Sequence, residues 1–205
     1  SMGVIGLQYY GHSGSFEDKS DWQLLKDHLT GVATLAAKFS ASFGGSDTPY
    51  IASLLHDIGK YSNAFQNRLE GSSEKVDHTS AGAQEAVRIY GKTWGILLAY
   101  IIVGHHGGIP NWDDTSPSSV CARLEKKGLN DYSDWEHEIN LLLKNYIPNA
   151  KLKGIKKLRG FQMTNYIRML YSCLVDADFI DTEKAFGNSE SRSEEHTSEL
   201  QSRHN

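Results

Sequence analysis

The segment Pro49-Tyr-Ile-Ala-Ser-Leu-Leu-His-Asp-Ile-Gly-Lys60 places a histidine and an aspartate at the end of an apolar run. Its apolar residues recur every three or four positions, as they do on one face of a helix. Adjacent helical residues point about 100° apart, so His56 and Asp57 can reach two neighbouring ions, with one carboxylate oxygen for each. The segment therefore predicts a helix that ends in a pair of metal ligands.

The rest of the chain has the same helical spacing. Asp21 is placed to cap the first long helix, and Thr79 or Ser80 to cap a later one. No segment alternates apolar and polar residues as a half-buried strand would. We therefore predict an all-α bundle of about seven helices. The predicted helical segments cover about residues 25–43, 49–59, 63–69, 81–90, 94–105, 117–124, 135–146 and 162–178.

Length and composition suit one soluble domain. The chain has 205 residues, of which 39% are apolar and 22% charged, and its net charge of -4 indicates no general affinity for nucleic acid. The longest apolar run, Trp94 to Val103, has about half the length of a membrane span, and no signal sequence is recognisable. Two cysteines do not make a disulfide framework. We expect a cytoplasmic protein without a membrane partner.

Both ends of the chain look foreign to the fold. Residues 1–3 resemble the scar of a cleaved tag, and the segment Arg192 to Ser202 resembles a translated sequencing adapter. A native polar tail has a similar composition. We expect a folded domain over residues 4–188, followed by a disordered or artefactual tail over residues 189–205.

A spaced series of histidines and aspartates runs through the helical segments. Any one of these histidines is more often a core or surface residue than a metal ligand. As a set they are stronger evidence, because each lies near a helix end or on an apolar helix, and buried imidazoles and carboxylates need partners. Imidazole and carboxylate are ligands of borderline transition metals. The series comprises His28, His56, Asp57, His78, His105, His106 and Asp176.

This series resembles the HD superfamily of metal-dependent phosphohydrolases. More narrowly, it is similar to the HD nuclease of type I CRISPR systems, which is fused to or works beside the Cas-three helicase. The resemblance covers roughly Val4 to Phe186, and the double histidine is its most specific element. The sequence segments that carry the resemblance are Tyr10-Gly-His-Ser13, Trp22-Gln-Leu-Leu-Lys-Asp-His28, Leu55-His-Asp-Ile-Gly-Lys60, Asp77-His-Thr-Ser-Ala-Gly82, Gly104-His-His-Gly-Gly108, Leu174-Val-Asp-Ala-Asp178 and Asp181-Thr-Glu183.

The resemblance implies two divalent metal ions that share Asp57. The first would be held by His28, His56, Asp57 and Asp176, and the second by Asp57, His78, His105 and His106. Two such ions can activate a water and stabilise the attacking and leaving oxygens of a phosphodiester. A mixed nitrogen and oxygen ligand set suits manganese, iron, cobalt or nickel better than magnesium.

Other residues are candidates for catalysis or substrate binding. Lys60, one helical turn past His56, is expected to hold a phosphate oxygen, although a solvated lysine near a helix end is equally consistent with its position. The loop after the double histidine contains Trp112, which suits either stacking on a base or covering the core. The remaining candidates for substrate binding are His12, Ser13, Arg168, Ser172 and the basic residues Lys156, Lys157 and Arg159.

The implied function is degradation of single-stranded DNA during CRISPR interference. Its partners would be a helicase domain or subunit and the CRISPR surveillance complex. No complete Walker Gly-x-x-x-x-Gly-Lys-Ser/Thr motif occurs here, because Gly91-Lys92-Thr93 is preceded by Ala86 where the motif requires a glycine. The nuclease would therefore be a separate subunit or the front of a longer protein. Two alternatives stay open: an HD phosphohydrolase of nucleotides or cyclic dinucleotides, and a non-catalytic HD docking or regulatory module.

Overall fold

Helices make up most of the chain that the computed structural model describes, namely residues 6–43, 47–112, 115–146 and 160–187. This confirms the all-α prediction. Short 3₁₀ turns occur at Ala41–Phe43 and Ile58–Tyr61, and π-helical turns at Gly91–Gly95 and Glu136–Asn140. The helices are α1 Leu25–Ser40, α2 Asp47–Leu55, α3 Asn63–Leu69, α4 Thr79–Tyr90, α5 Ile96–Gly104, α6 Val120–Glu125, α7 Leu141–Leu143 and α8 Phe161–Phe186.

A small antiparallel β-pair precedes the helices, contrary to the expectation of no strand. Strand β1 (Tyr10–His12) pairs with β2 (Gln23–Leu24), with Tyr10 opposite Leu24 and an irregular register beyond it. Strands of two and three residues are too short to show an alternating pattern in the sequence. The pair lies directly before α1, so it places His12 beside the first turns of that helix.

The core is formed where α1, α2, α5 and α8 pack together. Helix α1 packs against both α2 and α8, while α5 lies against α2, α4 and α8. The predicted stripe of α1 is buried, as shown by Leu25, Leu29 and Val32. Helix α5 is apolar on nearly all sides and is buried except at Ile96 and Tyr100, as expected for a helix surrounded by others.

Two predicted helix caps are replaced by other contacts. Asp21 does not cap α1: its carboxylate accepts hydrogen bonds from the backbone N–H groups of Ser15 and Phe16, at 2.6 and 3.0 Å, and closes the loop after β1. Helix α4 is capped by Asp77, whose Oδ1 accepts from the N–H groups of Thr79 and Ser80 at 3.1 and 3.0 Å. A side chain just before the first turn satisfies these amide groups best.

The continuous helical segment Thr79–Gly104 is long and apolar enough to cross a membrane by length and composition alone. More than half of its most apolar window, 56%, is buried inside the molecule, and buried core helices of soluble proteins meet the same criteria. Its burial against α2 and α8 accounts for its apolar character.

Two glycines allow the start of α4 to approach the end of α2 closely. A Cβ atom at Gly82 would overlap the carbonyl oxygen of Leu55, and one at Gly59 would overlap the backbone of His78. Neither position has room for a larger residue without a backbone shift. The two contacts bring the backbone of His78 next to the turn that carries Asp57.

We predict that Gly82→Ala destabilises the protein by about 1–3 kcal/mol, because the added methyl group forces α4 away from α2. Urea denaturation of the purified protein measures this change in the free energy of unfolding. Gly107→Ala is the matched control, since nothing lies within 4 Å of a Cβ at Gly107. Equal stability of the two variants would contradict the close approach of α2 and α4.

Candidate metal centre

Asp57 lies at the centre of the histidine cluster, in the turn between α2 and the 3₁₀ turn that follows it. One of its carboxylate oxygens, Oδ2, faces the α1 side of the cluster. It lies 3.4 Å from His56 Nε2, 3.8 Å from His28 Nε2 and 3.0 Å from Lys60 Nζ. All four residues are buried.

The other oxygen of Asp57, Oδ1, faces the start of α4 and the end of α5. It lies 3.4 Å from His105 Nε2, 3.7 Å from His78 Nε2 and 3.8 Å from His106 Nε2. Nε2 of His78 and Nε2 of His106 are 2.8 Å apart. The structure thus brings together all the histidines of the predicted series and divides them between the two oxygens of Asp57.

The aspartate on the last helix is Asp178, and the prediction of Asp176 is wrong. Asp178 Oδ1 lies 3.2 Å from His28 Nε2 and 3.8 Å from His56 Nε2, whereas the side chain of Asp176 is exposed. Two residues on a helix are about 200° apart, so these carboxylates point in opposite directions. The buried stripe through Leu170 and Leu174 continues to Asp178, so helical spacing alone could have identified it.

Two of the histidines are oriented by their own helices. His56 Nδ1 donates to the carbonyl oxygen of Ser53, and His105 Nδ1 donates to that of Ile102, each at 2.5 Å. A carbonyl oxygen can only accept, so in the neutral form of both rings Nδ1 carries the proton and Nε2 presents its lone pair to the cluster. This is the tautomer that a metal ligand needs.

His78 is held by the cap of α4. The neighbouring Asp77 binds two cations of the α6 region, Arg123 Nη1 at 2.9 Å and Lys126 Nζ at 2.6 Å. Burial would raise the pKa of Asp77, but its bonds to Lys126 and Ser80 outweigh burial and lower that pKa below its usual range. The charged cap fixes the backbone from which His78 projects.

Lys60 is buried and turned inward. Besides Asp57 Oδ2, its Nζ contacts the carbonyl oxygen of Gly11 at 3.1 Å and lies 5.0 Å from the ring centroid of Phe65. The solvated lysine considered from the sequence is therefore wrong. This position supports a role in holding Asp57 ionised, and a contact with a phosphate oxygen stays a prediction.

The two aspartates stay ionised and the histidines differ in charge. Burial would raise the pKa of Asp57 and of Asp178, but it is outweighed by Lys60 and the histidines at Asp57, and by His28 and His56 at Asp178. Both pKa values are therefore held well below the usual range. Burial would lower the pKa of His28, but Asp178 and a further carboxylate, Asp181, outweigh it and raise that pKa to about 9. Burial, followed by the neighbouring His106, lowers the pKa of His105 to about 4.

The predicted substrate-binding residues have different positions. His12 packs edge-on against His28, with ring centroids 4.7 Å apart, and Ser13 beside it is partly exposed. Arg168 and Ser172 share the exposed face of α8 with Asp176, so the structure does not bring them to the cluster. Lys156, Lys157 and Arg159 lie outside the described residues.

The cluster suits divalent metal ions. His56 Nε2 and Asp57 Oδ1 are buried and make no hydrogen bond with the described residues, although buried polar atoms are normally paired. A cation between these lone pairs would satisfy both atoms. The described residues contain four overlapping groups whose ligand atoms lie within 4.8 Å of one another: His12, His28 and Asp178; His28, His56 and Asp57; His56, His105 and Asp178; and Asp57, His105 and His106.

We predict that Asp178→Ala weakens Mn²⁺ binding by more than about 10-fold, because it removes a carboxylate from the cluster. Asp176→Ala, on the opposite face of the same helix, should bind Mn²⁺ as the wild type does. Isothermal titration calorimetry of both variants measures this. The reverse ranking would restore Asp176 as the ligand.

We also predict that metal binding releases a proton from His28. Its pKa of about 9 means that the ring is protonated at neutral pH in metal-free protein, and a ligand must be neutral. The affinity of the site that contains His28 for a divalent metal ion should rise about tenfold per pH unit and level off above about pH 9. His105, with a pKa of about 4, has no proton to release in this range. Calorimetry in buffers with different ionisation enthalpies counts the protons, and a pH-independent affinity between about pH 7 and 8.5 would contradict the prediction.

Comparison with known proteins agrees with this geometry. The HD domain family matches residues 25–129, just over half of the 205-residue chain, and the match includes the cluster histidines and Asp57 but not α8. A search of curated proteins found no match. The chain therefore belongs to the HD domain family, whose members are metal-dependent phosphohydrolases.

Proposed function

We propose that the protein is a nuclease that degrades single-stranded DNA during CRISPR interference, using two divalent metal ions. The observation that carries this proposal is the division of the ligands between the two oxygens of Asp57. The order of the matching sequence segments along the chain, including Gly104-His-His-Gly-Gly108, supports the choice of the CRISPR nucleases within the HD superfamily.

Each side of Asp57 offers a ligand set for one ion. His28, His56 and Asp178 would hold the first with Oδ2, and His78, His105 and His106 the second with Oδ1. When bound, the ions would activate a water and stabilise the charge on the phosphodiester oxygens. The excess of imidazole over carboxylate favours manganese, iron, cobalt or nickel over magnesium.

The protein residues keep this arrangement in its reactive form. Lys60 stabilises the ionised form of Asp57, so both oxygens are available as ligands. The backbone carbonyls of Ser53 and Ile102 keep Nε2 of His56 and His105 unprotonated and pointed inward. The innermost of these residues, His28, His56 and Asp57, are buried from solvent.

The exposed edge of the site supports a flexible polymer as substrate. The side chains of Asp178 and His106 are 20% and 27% exposed, whereas Asp57 is only 2% exposed. Trp112, six residues after His106 in the chain, is 42% exposed and has a ring centroid 6.0 Å from that of Tyr100. A partly exposed indole suits stacking on an unpaired base.

The proposed partners follow from the same resemblance. A helicase domain or subunit would supply the single strand, and the CRISPR surveillance complex would recruit both to their target in the cytoplasm. The basic segment between Lys151 and Arg159, which lies outside the described residues, is a candidate for tracking the phosphate backbone.

We predict that the purified protein cleaves end-labelled single-stranded DNA when Mn²⁺, Co²⁺ or Ni²⁺ is added, and that EDTA stops the reaction. Asp57→Ala should reduce the rate by more than about 100-fold, because both ions lose a ligand. Asp176→Ala is the control that keeps the cluster intact. Cleavage by Asp57→Ala at the rate of the wild type would refute the assigned site.

A panel of substrates separates the alternatives. Turnover of nucleotides or cyclic dinucleotides, without cleavage of oligonucleotides, would reject the nuclease and support a small-molecule phosphohydrolase. Stoichiometric metal binding without turnover of any phosphoester would support a docking or regulatory module.

A further inference from the structure

Asp181 lies one helical turn beyond Asp178 on α8 and faces α1. Its Oδ2 accepts two hydrogen bonds, from His28 Nδ1 at 3.0 Å and from Gln23 Nε2 at 2.7 Å. Its side chain is 14% exposed, and His28 is completely buried. Asp181 thus contacts the opposite nitrogen of His28 from the one that faces Asp57.

Helix α1 has a glycine at the point where the carboxylate of Asp181 packs against it. A Cβ atom at Gly31 would overlap Asp181 Oδ1, so α1 lacks a side chain where α8 brings Asp181 against it. Gly31 lies three residues after His28 and therefore on a neighbouring part of the same helix face. The carboxylate is thus fixed by packing from α1 and by a hydrogen bond from β2.

His28 is oriented differently from two other histidines of the cluster. His56 and His105 follow the ends of α2 and α5, and Nδ1 of each donates to a backbone carbonyl of the preceding helix, that of Ser53 or Ile102. His28 lies inside α1, where the corresponding carbonyl groups are used by the helix itself. At His28, the partner of Nδ1 is a side chain from another element, Asp181 of α8.

We propose that Asp181 is a positioning residue that, held by Gln23, keeps the proton of His28 on Nδ1 and aims Nε2 at the ion beside Asp57 Oδ2. A carboxylate partner also makes the ring a stronger ligand than a backbone carbonyl does. Asp181 therefore increases the metal affinity of the site formed by His28, His56 and Asp178. It leaves the metal affinity of the site formed by His78, His105 and His106 unchanged. This inference rests on the proposed two-metal centre.

The test compares Mn²⁺ affinities of the wild type, Asp181→Asn and Asp181→Ala by calorimetry, with Asp176→Asn as the matched control on the exposed face of α8. We expect one of the two sites to weaken by about 10–100-fold in the Asp181 variants, with the other site and the control unchanged. The visible absorption spectrum of bound Co²⁺ should change for the same site. Affinities and spectra equal to those of the wild type would overturn the proposal, even if the variants unfold more easily.

A measurement on the unaltered chain removes dependence on the folding of variants. Long-range ¹H–¹⁵N correlation spectra of the protein loaded with Zn²⁺, a diamagnetic substitute, report which nitrogen of each imidazole is protonated. We expect the proton of His28 on Nδ1, and a metal-bound Nδ1 or a proton on Nε2 would overturn the inference. If the proposed metal centre itself were wrong, the wild-type protein would not bind metal. If the wild type binds metal but the proton of His28 is not on Nδ1, only the role of Asp181 is refuted.

Discussion

The ionised carboxylate of Asp57 is buried in the middle of the protein, and the rest of the site is arranged around it. A buried charge is strongly unfavourable unless it is paired and hydrogen-bonded. Lys60 supplies one positive charge, with its Nζ 3.0 Å from Oδ2. Oδ1 is surrounded by imidazole nitrogens and makes no hydrogen bond within the part of the chain that the structure describes, which leaves a place for a cation. The same feature that would destabilise an ordinary core thus creates a metal-binding site.

The fold meets this constraint by bringing helix ends and helix faces to one point. His56 and His105 follow helix C-termini, where backbone carbonyl groups of the last turn orient their rings. His28 and Asp178 project from the interiors of α1 and α8, so their approach depends on how closely these two helices pack. Small residues such as Gly82 and Gly31 permit the necessary contacts. Stability and metal binding are therefore coupled through the same helix contacts.

Much of this was visible in the sequence because it is local. The apolar spacing of α1 and α2 and the apolar run of α5 predicted helices whose burial the structure confirms, and the His-Asp and His-His pairs marked two helix ends. The sequence also contained the information to choose Asp178 over Asp176, since of these two residues Asp178 continues the buried stripe of α8. The caps were harder to predict, because Asp21 and Asp77 each had several amide groups within reach.

The sequence by itself determined the helical fold and most of the candidate ligands, because helical periodicity and short motifs depend only on neighbouring residues. Tertiary structure alone decided which atoms face each other. The contact of His28 with Asp181 joins residues 153 positions apart, and the inward turn of Lys60 depends on β1, which is too short to predict. Such pairings follow from how the helices cross and how closely glycines let them approach, and neither is encoded in any single segment.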